Sequence, residues 1–200
     1  MSGLREKQKE QRKEAILVAA TGLFDKHGYA ATKVEQIAAA AGVSPPTVFN
    51  YFGNKQEILF ALVDKADRSA IHDVRSRMAT FDNAVDALCN LQATVMRYEL
   101  EALPIAIWRD LMNLSVNGSP SVGMVETDKR LASQIAGLLR ELQERGMLNA
   151  GFDPEAVADL LNDHAILLFA RFVHQDAPDQ AAHLLQVRRV AELVFNGLKP

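Results

Sequence analysis

Residues 42–55 read GVSPPTVFNYFGNK. Two prolines follow a serine, three aromatics fall within four residues, and a glycine and a lysine close the stretch. Proline ends most helices, but at the first two helical positions it costs little, because the first-turn N–H groups have no partner within the helix. Ser44 is therefore predicted as an N-cap, with Pro45 and Pro46 starting a helix at a fixed point. That helix ends at Tyr51 or Phe52, because Gly53 follows. Asn54 and Glu57 then form a capping box for the next helix.

Upstream, Ile16, Ala19, Ala20, Leu23 and Phe24 recur at three- and four-residue steps, which predicts a helix over 10–27 with one buried face and Gly28 as its cap. Thr32 and Glu35 read as the capping box of a second helix, whose inner face is Val34, Ile37, Ala38 and Ala41 and which Gly42 stops. Three short helices thus fit within 10–52, the last two joined by the tight turn AGVS. This is a helix-turn-helix.

Downstream the pattern stays helical. A long helix is expected over 55–78, with Ile58, Leu59, Leu62, Val63 and Ala66 inward. Further helices are expected at 82–101, 104–116, 120–146, 153–175 and 179–198, separated by turn-rich breaks including VNGSPS at 116–121. The last two carry the stripes Val157, Leu160, Leu161, Leu168, Phe172 and Leu184, Val187, Ala191, Val194, Phe195, Leu198.

Composition agrees with a helical protein: 48% of the 200 residues are hydrophobic and only 6% aromatic. One cysteine, Cys89, excludes an internal disulfide and fits a cytoplasmic location. No apolar stretch is long enough to span a bilayer, so no membrane is expected. The net charge is −3, but residues 1–56 hold eight Lys and Arg against five Asp and Glu. A basic head on an acidic body suits a small DNA-binding domain on a larger regulatory one, and ordinary surface scatter would look similar.

Major-groove reading needs a short exposed helix whose first turns present side chains to base edges. Thr47 and Asn50 project from the short helix at three-residue spacing. Threonine can touch a base edge or a thymine methyl, and asparagine can pair with adenine. Tyr51 and Lys55 are candidate phosphate contacts, as is Thr32 at the start of the partner helix. Ser44 and Pro46 at the front of the short helix, and Phe49 against the sugar-phosphate backbone, complete the candidate DNA-binding set. Arg5, Lys7, Lys9 and Arg12 read either as an arm reaching DNA or as a solvated run alternating with glutamates.

ILVAATGLFDKHGYAATKVEQIAAAAGVSPPTVFNYFGNKQEIL, residues 16–59, resembles the DNA-binding region of the TetR family of bacterial transcription regulators. The resemblance rests on GY, T-x-V-x-x-IA, AGVS, VFNYF and the lysine at 55. It implies an all-α fold of about nine helices: an N-terminal three-helix helix-turn-helix DNA-binding domain over 1–54, and a C-terminal helical ligand-binding and dimerisation domain over 55–200. It also implies a repressor that binds a palindromic operator in double-stranded DNA as a homodimer through its last two helices, and that a small-molecule effector releases. Carried over by position, Thr47 and Asn50 fall on base-reading sites, and Thr32, Tyr51 and Lys55 on phosphate-contacting ones. Pro45 and Phe49 depart from the family pattern, which thins direct readout and removes one hydroxyl.

In the body, Cys89, Gln92, Met96 and Glu99 share a helix face with Val85, Leu88 and Val95. Polar Gln92 and Glu99 on an apolar stripe mean either a cavity with polar anchors or a partly buried face. Trp108, Arg109 and His164 are further candidate pocket residues, each with a plain core or interface reading beside it. No metal-ligand spacing is present among the histidines, no cofactor motif and no enzyme signature. The reading is therefore a regulator with no catalytic residues and no cofactor. The alternative is a body that binds a protein partner instead of a small molecule.

Overall fold

The computed structural model describes residues 2–117 and 122–196. Among these the chain is all-helical. It comprises α1 (Ser2–Ala31), α2 (Val34–Ala40), α3 (Pro45–Phe52), α4 (Lys55–Ser76), α5 (Ala84–Ala102), α6 (Ile105–Asn117), α7 (Val122–Glu144), α8 (Pro154–Val173) and α9 (Gln180–Asn196), with a short 3-10 turn at Met78–Thr80. Most of the expected break at 116–121, the expected helix start at 120, and Leu198 lie outside the described residues.

The first helix is longer than its apolar face predicted. It begins at Ser2, and the basic residues 5–12 sit on an exposed helical extension. At Gly28 the backbone turns to φ 77°, ψ 163°, breaking the helix before the final turn to Ala31. A side chain rarely adopts that conformation, so glycine sets the break. The predicted Thr32–Glu35 box is not formed. The second helix starts later, with Lys33 in extended conformation at the cap, and the Gln36 side chain accepts from the Lys33 N–H at 2.8 Å. Thr32 turns inward instead: its hydroxyl lies 2.8 Å from the Gly28 carbonyl and 3.2 Å from that of Leu23, and the residue is 1% exposed.

The bounds read from the opening stretch hold, although the Ser44 side chain makes no capping bond to α3 and the Asn54 N–H donates to the Phe52 carbonyl rather than to Glu57. Ser44 occupies the cap, its carbonyl accepting from the N–H groups of Thr47 and Val48. α3 runs Pro45–Phe52 and ends at Gly53. Asn54 Oδ1 accepts from the Glu57 N–H at 3.0 Å and starts α4. Val48 and Phe52 hold α3 to the head by burial, each contributing about 1.5–3 kcal/mol.

α4 joins head and body. It packs on α1 and α3 near its start and on α5 and α7 along its length. One core cluster runs from Ile16, Phe24, Ile37 and Val48 in the head through Leu59 and Phe60 to Trp108, Met112 and Phe169 in the body. A second, around Ile71, Leu91 and Leu139, fills the far end. α8 and α9 pack on each other and leave Leu160, Leu167, Leu185 and Leu193 46–58% exposed. Val194 and Phe195, expected on that outer face, instead pack on the second cluster.

Candidate nucleic-acid interface and ligand cavity

α3 presents a polar front to solvent. Pro46 and Asn50 are exposed, Thr47 and Tyr51 are half-exposed, and Phe49 is 46% exposed. The Ser44 and Thr47 hydroxyls lie 2.8 Å apart and share one hydrogen bond across the first turn. That contact orients Thr47 before any partner arrives. Phe49, next to Asn50, offers an exposed apolar surface that suits contact with a sugar or a base methyl.

Lys55 is placed otherwise than its sequence position suggested. Its ammonium donates to the backbone carbonyls of Tyr29 (2.6 Å), Thr32 (2.9 Å) and, more weakly, Ala30 (3.4 Å), and lies 4.2 Å over the centre of the Tyr29 ring. Three N–H groups meet three carbonyls at the end of α1. Partial burial lowers its pKa from the ordinary lysine value. Lys55 therefore ties the start of α4 to the end of α1, as Thr32 does within α1, and neither side chain is held out toward a phosphate.

In the body, a cavity of about 70 Å³ lies among α4, α5, α6, α7 and α8, with His183 of α9 at its edge. It is smaller than the several hundred Å³ of most small-molecule sites. Gln92, Met96 and Glu99 of α5 and Trp108 of α6 line it. The Trp108 indole N–H donates to the Glu99 carbonyl at 3.0 Å, and its ring meets Phe169 edge-on at 5.1 Å.

Three candidates do not line this cavity. Cys89 lies a turn earlier on α5, where Arg188, Asp86 and Glu192 are its charged neighbours, and burial raises its thiol pKa. Arg109 donates to the Val173 carbonyl and, at 3.0 Å, to that of Gln175, capping the end of α8. His164 borders a separate void of about 20 Å³ shared with Gln92 and Ala165, and its Nε2 is buried without a partner.

The cavity also holds two carboxyls that the sequence reading passed over, Asp67 of α4 and Asp128 of α7. Asp67 is 3% exposed, and its Oδ1 has no hydrogen-bond partner. The Glu99 carboxyl is its neighbour, and a hydrogen bond between the two needs one proton. Burial, with Asp64 and Asp128 nearby, pushes Asp67 up to about 7. Burial and Asp67 raise Glu99 well above the usual carboxylate range, and the surface Glu99 retains is that of a group on a cavity wall. Asp128 rises to about 6 through burial and the Asp163 charge. The signal was in the sequence: Asp67 interrupts the stripe Val63, Ala66, Ala70, Val74, and Asp128 sits between Met124 and Leu131 at helical spacing.

The family of bacterial regulatory proteins described as the tetR family matches residues 16–62, the three head helices and the start of α4. Over those residues the head is a TetR-family DNA-binding region. Among curated relatives it is 33% identical over 81 residues to the transcriptional regulator HbdR of Aromatoleum sp. (strain CIB), covering 40% of this chain and 35% of that one. It is 28% identical over 144 residues to the transcriptional regulator TcmR of Streptomyces glaucescens, covering 70% and 62%. The matches thus span less than two thirds of those relatives. Among solved structures, the TetR-family repressor FadR of Thermus thermophilus, in complex with lauroyl-CoA, superposes with a TM-score of 0.70 at 25% identity, covering 94% of this chain and 98% of that one. Among the described residues, no helix is long and apolar enough to cross a membrane.

Proposed function

We propose that this chain is a cytoplasmic transcriptional repressor that binds a palindromic operator as a homodimer and is released by a small molecule. The observation that carries the reading is α3: a short helix fixed at its start by Ser44 and two prolines, held down by Val48 and Phe52, with Phe49 and Asn50 exposed and Thr47 and Tyr51 partly exposed. These four, with Pro46 and Ser44 at its front, are the proposed DNA-facing set. Thr32 and Lys55 buttress it from behind. The exposed leucines 160, 167, 185 and 193 are the proposed dimer face, since two copies could bury them in a four-helix bundle.

Release follows from α4. Phe60, Val63 and Asp67 stand on the cavity wall, while Lys55 in the first turn grips the end of α1. A ligand that displaces α4 moves the head with it. Two reading helices that no longer match successive major grooves, about 34–36 Å apart, lose the operator. Coupling is reciprocal, so operator must weaken ligand binding by the same factor.

Selection from random DNA tests the reading. The parent should recover a two-fold symmetric site, and Asn50→Ala should lose preference at one base pair in each half, at a cost of about 1–3 kcal/mol. Recovery of the same motif at the same stringency by both would remove Asn50 from the readers. Leu160→Glu combined with Leu193→Glu should give monomers by light scattering; a persistent dimer would place the interface elsewhere.

A further inference from the structure

The cavity has a chemical character that the release mechanism leaves unspecified. Its wall is largely apolar and aromatic, with Phe60, Trp108 and Phe169 among its members. Into this wall are set the carboxyls of Asp67, Glu99 and Asp128. Asp67 Oδ1 is buried and has no donor. Among the described lining residues the only basic side chain is His183, whose pKa burial lowers. The nearest guanidinium, Arg130, donates to Asp64 at 2.7 Å and to the Thr127 hydroxyl at 3.0 Å. Carboxyls buried without a cation are costly, and a native fold retains them when something pairs with them.

We propose that the cavity binds a small organic ammonium ion, its N–H groups donating to the Asp67 and Glu99 carboxylates and its apolar body lying against Trp108 and Phe169. This rests on the reading of the chain as a ligand-released repressor and names the class of ligand. Two rival classes fit less well. An acidic ligand would meet three carboxyls. A metal ion would need converging ligands, and among the described residues no group of three His, Cys, Asp or Glu stands close enough to hold one. Aromatic faces favour an organic cation further, since the ring quadrupole attracts positive charge. Size follows from volume: about 70 Å³ is small, so the ion has few heavy atoms beyond its nitrogen. The raised carboxyl pKa values agree, because burial keeps part of the cluster protonated at neutral pH and a bound cation stabilises the ionised form in place of that proton.

The test is a matched series on the full-length chain without DNA: n-butylamine, n-butanol and butyrate, with benzylamine as a larger amine, each titrated at pH 7.5 by calorimetry and ligand-observed NMR. n-Butylamine should bind at least ~10-fold more tightly than n-butanol, and butyrate should not bind. Asp67→Asn and Glu99→Gln, each checked for native circular dichroism, should each lose at least ~10-fold of amine affinity and leave n-butanol unchanged. Equal binding of amine and alcohol, tighter binding of butyrate, no binding of either amine, or amine binding that survives both substitutions would overturn the proposal. Repeating the titration on protein bound to its selected DNA site separates the two readings. Amine binding that DNA leaves unaffected sinks release by ligand and keeps the ammonium site. DNA binding that no amine disturbs, with no amine bound, sinks the ammonium site alone.

Discussion

The first turn of α4 and its middle each point a charged side chain into protein, twelve residues apart, and treat it in opposite ways. Lys55 finds three carbonyls within 2.6–3.4 Å and an aromatic face. Asp67 finds other carboxyls and leaves an oxygen without a donor. The first arrangement lowers the energy of the fold whatever else is bound. The second raises it until something supplies protons or a cation. One helix therefore carries a rigid joint at the DNA-facing end and a strained point at the cavity, which suits an element that transmits a ligand's presence to the head. Among the described residues the head buries one polar side chain, Thr32, whereas the body buries Asp67, Thr94, Thr127, Asn162 and His183.

The largest expected effect breaks the strained end. Asp67 has its pKa raised from an ordinary 3.8 to about 7, with Glu99 raised beside it and Asp128 at about 6. Between about pH 4 and 7 the folded state holds protons that the unfolded chain has released. The stability these groups contribute is therefore full at low pH and falls as pH rises through that window. The groups facing Asp67 are Glu99, Asp64, Asp128 and Arg130. Asp67→Asn should be more stable than the parent at pH 8, by on the order of a few kcal/mol, and the gain should shrink toward pH 4. Thermal unfolding across that range checks it; a lower melting point at pH 8 would mean the carboxylate is well paired after all.

The next effect breaks the joint. Lys55→Met keeps the stem and removes the charge, leaving the Tyr29, Ala30 and Thr32 carbonyls without their donor. It should cost about 2 kcal/mol of stability and leave the salt dependence of DNA binding unchanged. A slope reduced by one phosphate contact per subunit, with stability intact, would return Lys55 to the DNA-contacting set.

The smallest effect sharpens the same contrast. Thr32→Val removes a buried hydroxyl that bonds the Gly28 and Leu23 carbonyls. It should cost about 1 kcal/mol and, with folding restored at lower temperature, leave both affinity and sequence preference for DNA intact. A selective loss of DNA affinity would show that Thr32 acts at the interface as well as behind it.

The head was legible because its signals are local. Ser44, the two prolines, Gly53 and Asn54 each act on backbone within a few residues, so the bounds of α3 and the start of α4 could be read off the chain. Errors arose where a side chain had two local options. Thr32 could cap α2 or bond back into α1, and the tertiary packing that buries it chose the second. In the body, spacing found the α5 face of the cavity, Gln92, Met96 and Glu99, but not the α4 and α7 carboxyls opposite. Asp67 follows the inward face read for α4 and was outweighed by its apolar neighbours, and no inner face was assigned to the helix that carries Asp128.

Capping, glycine and proline placement, and apolar periodicity are short-range properties, and by themselves they determined that this chain is helical throughout and opens with a helix-turn-helix. Which charged groups meet was decided only in three dimensions. Lys55 reaches carbonyls 23–26 residues away. Asp67, Glu99 and Asp128 come from three helices and face one another only once those helices pack around a common space. Electrostatic cost depends on distance and on the water excluded between groups, and both are properties of the packed fold.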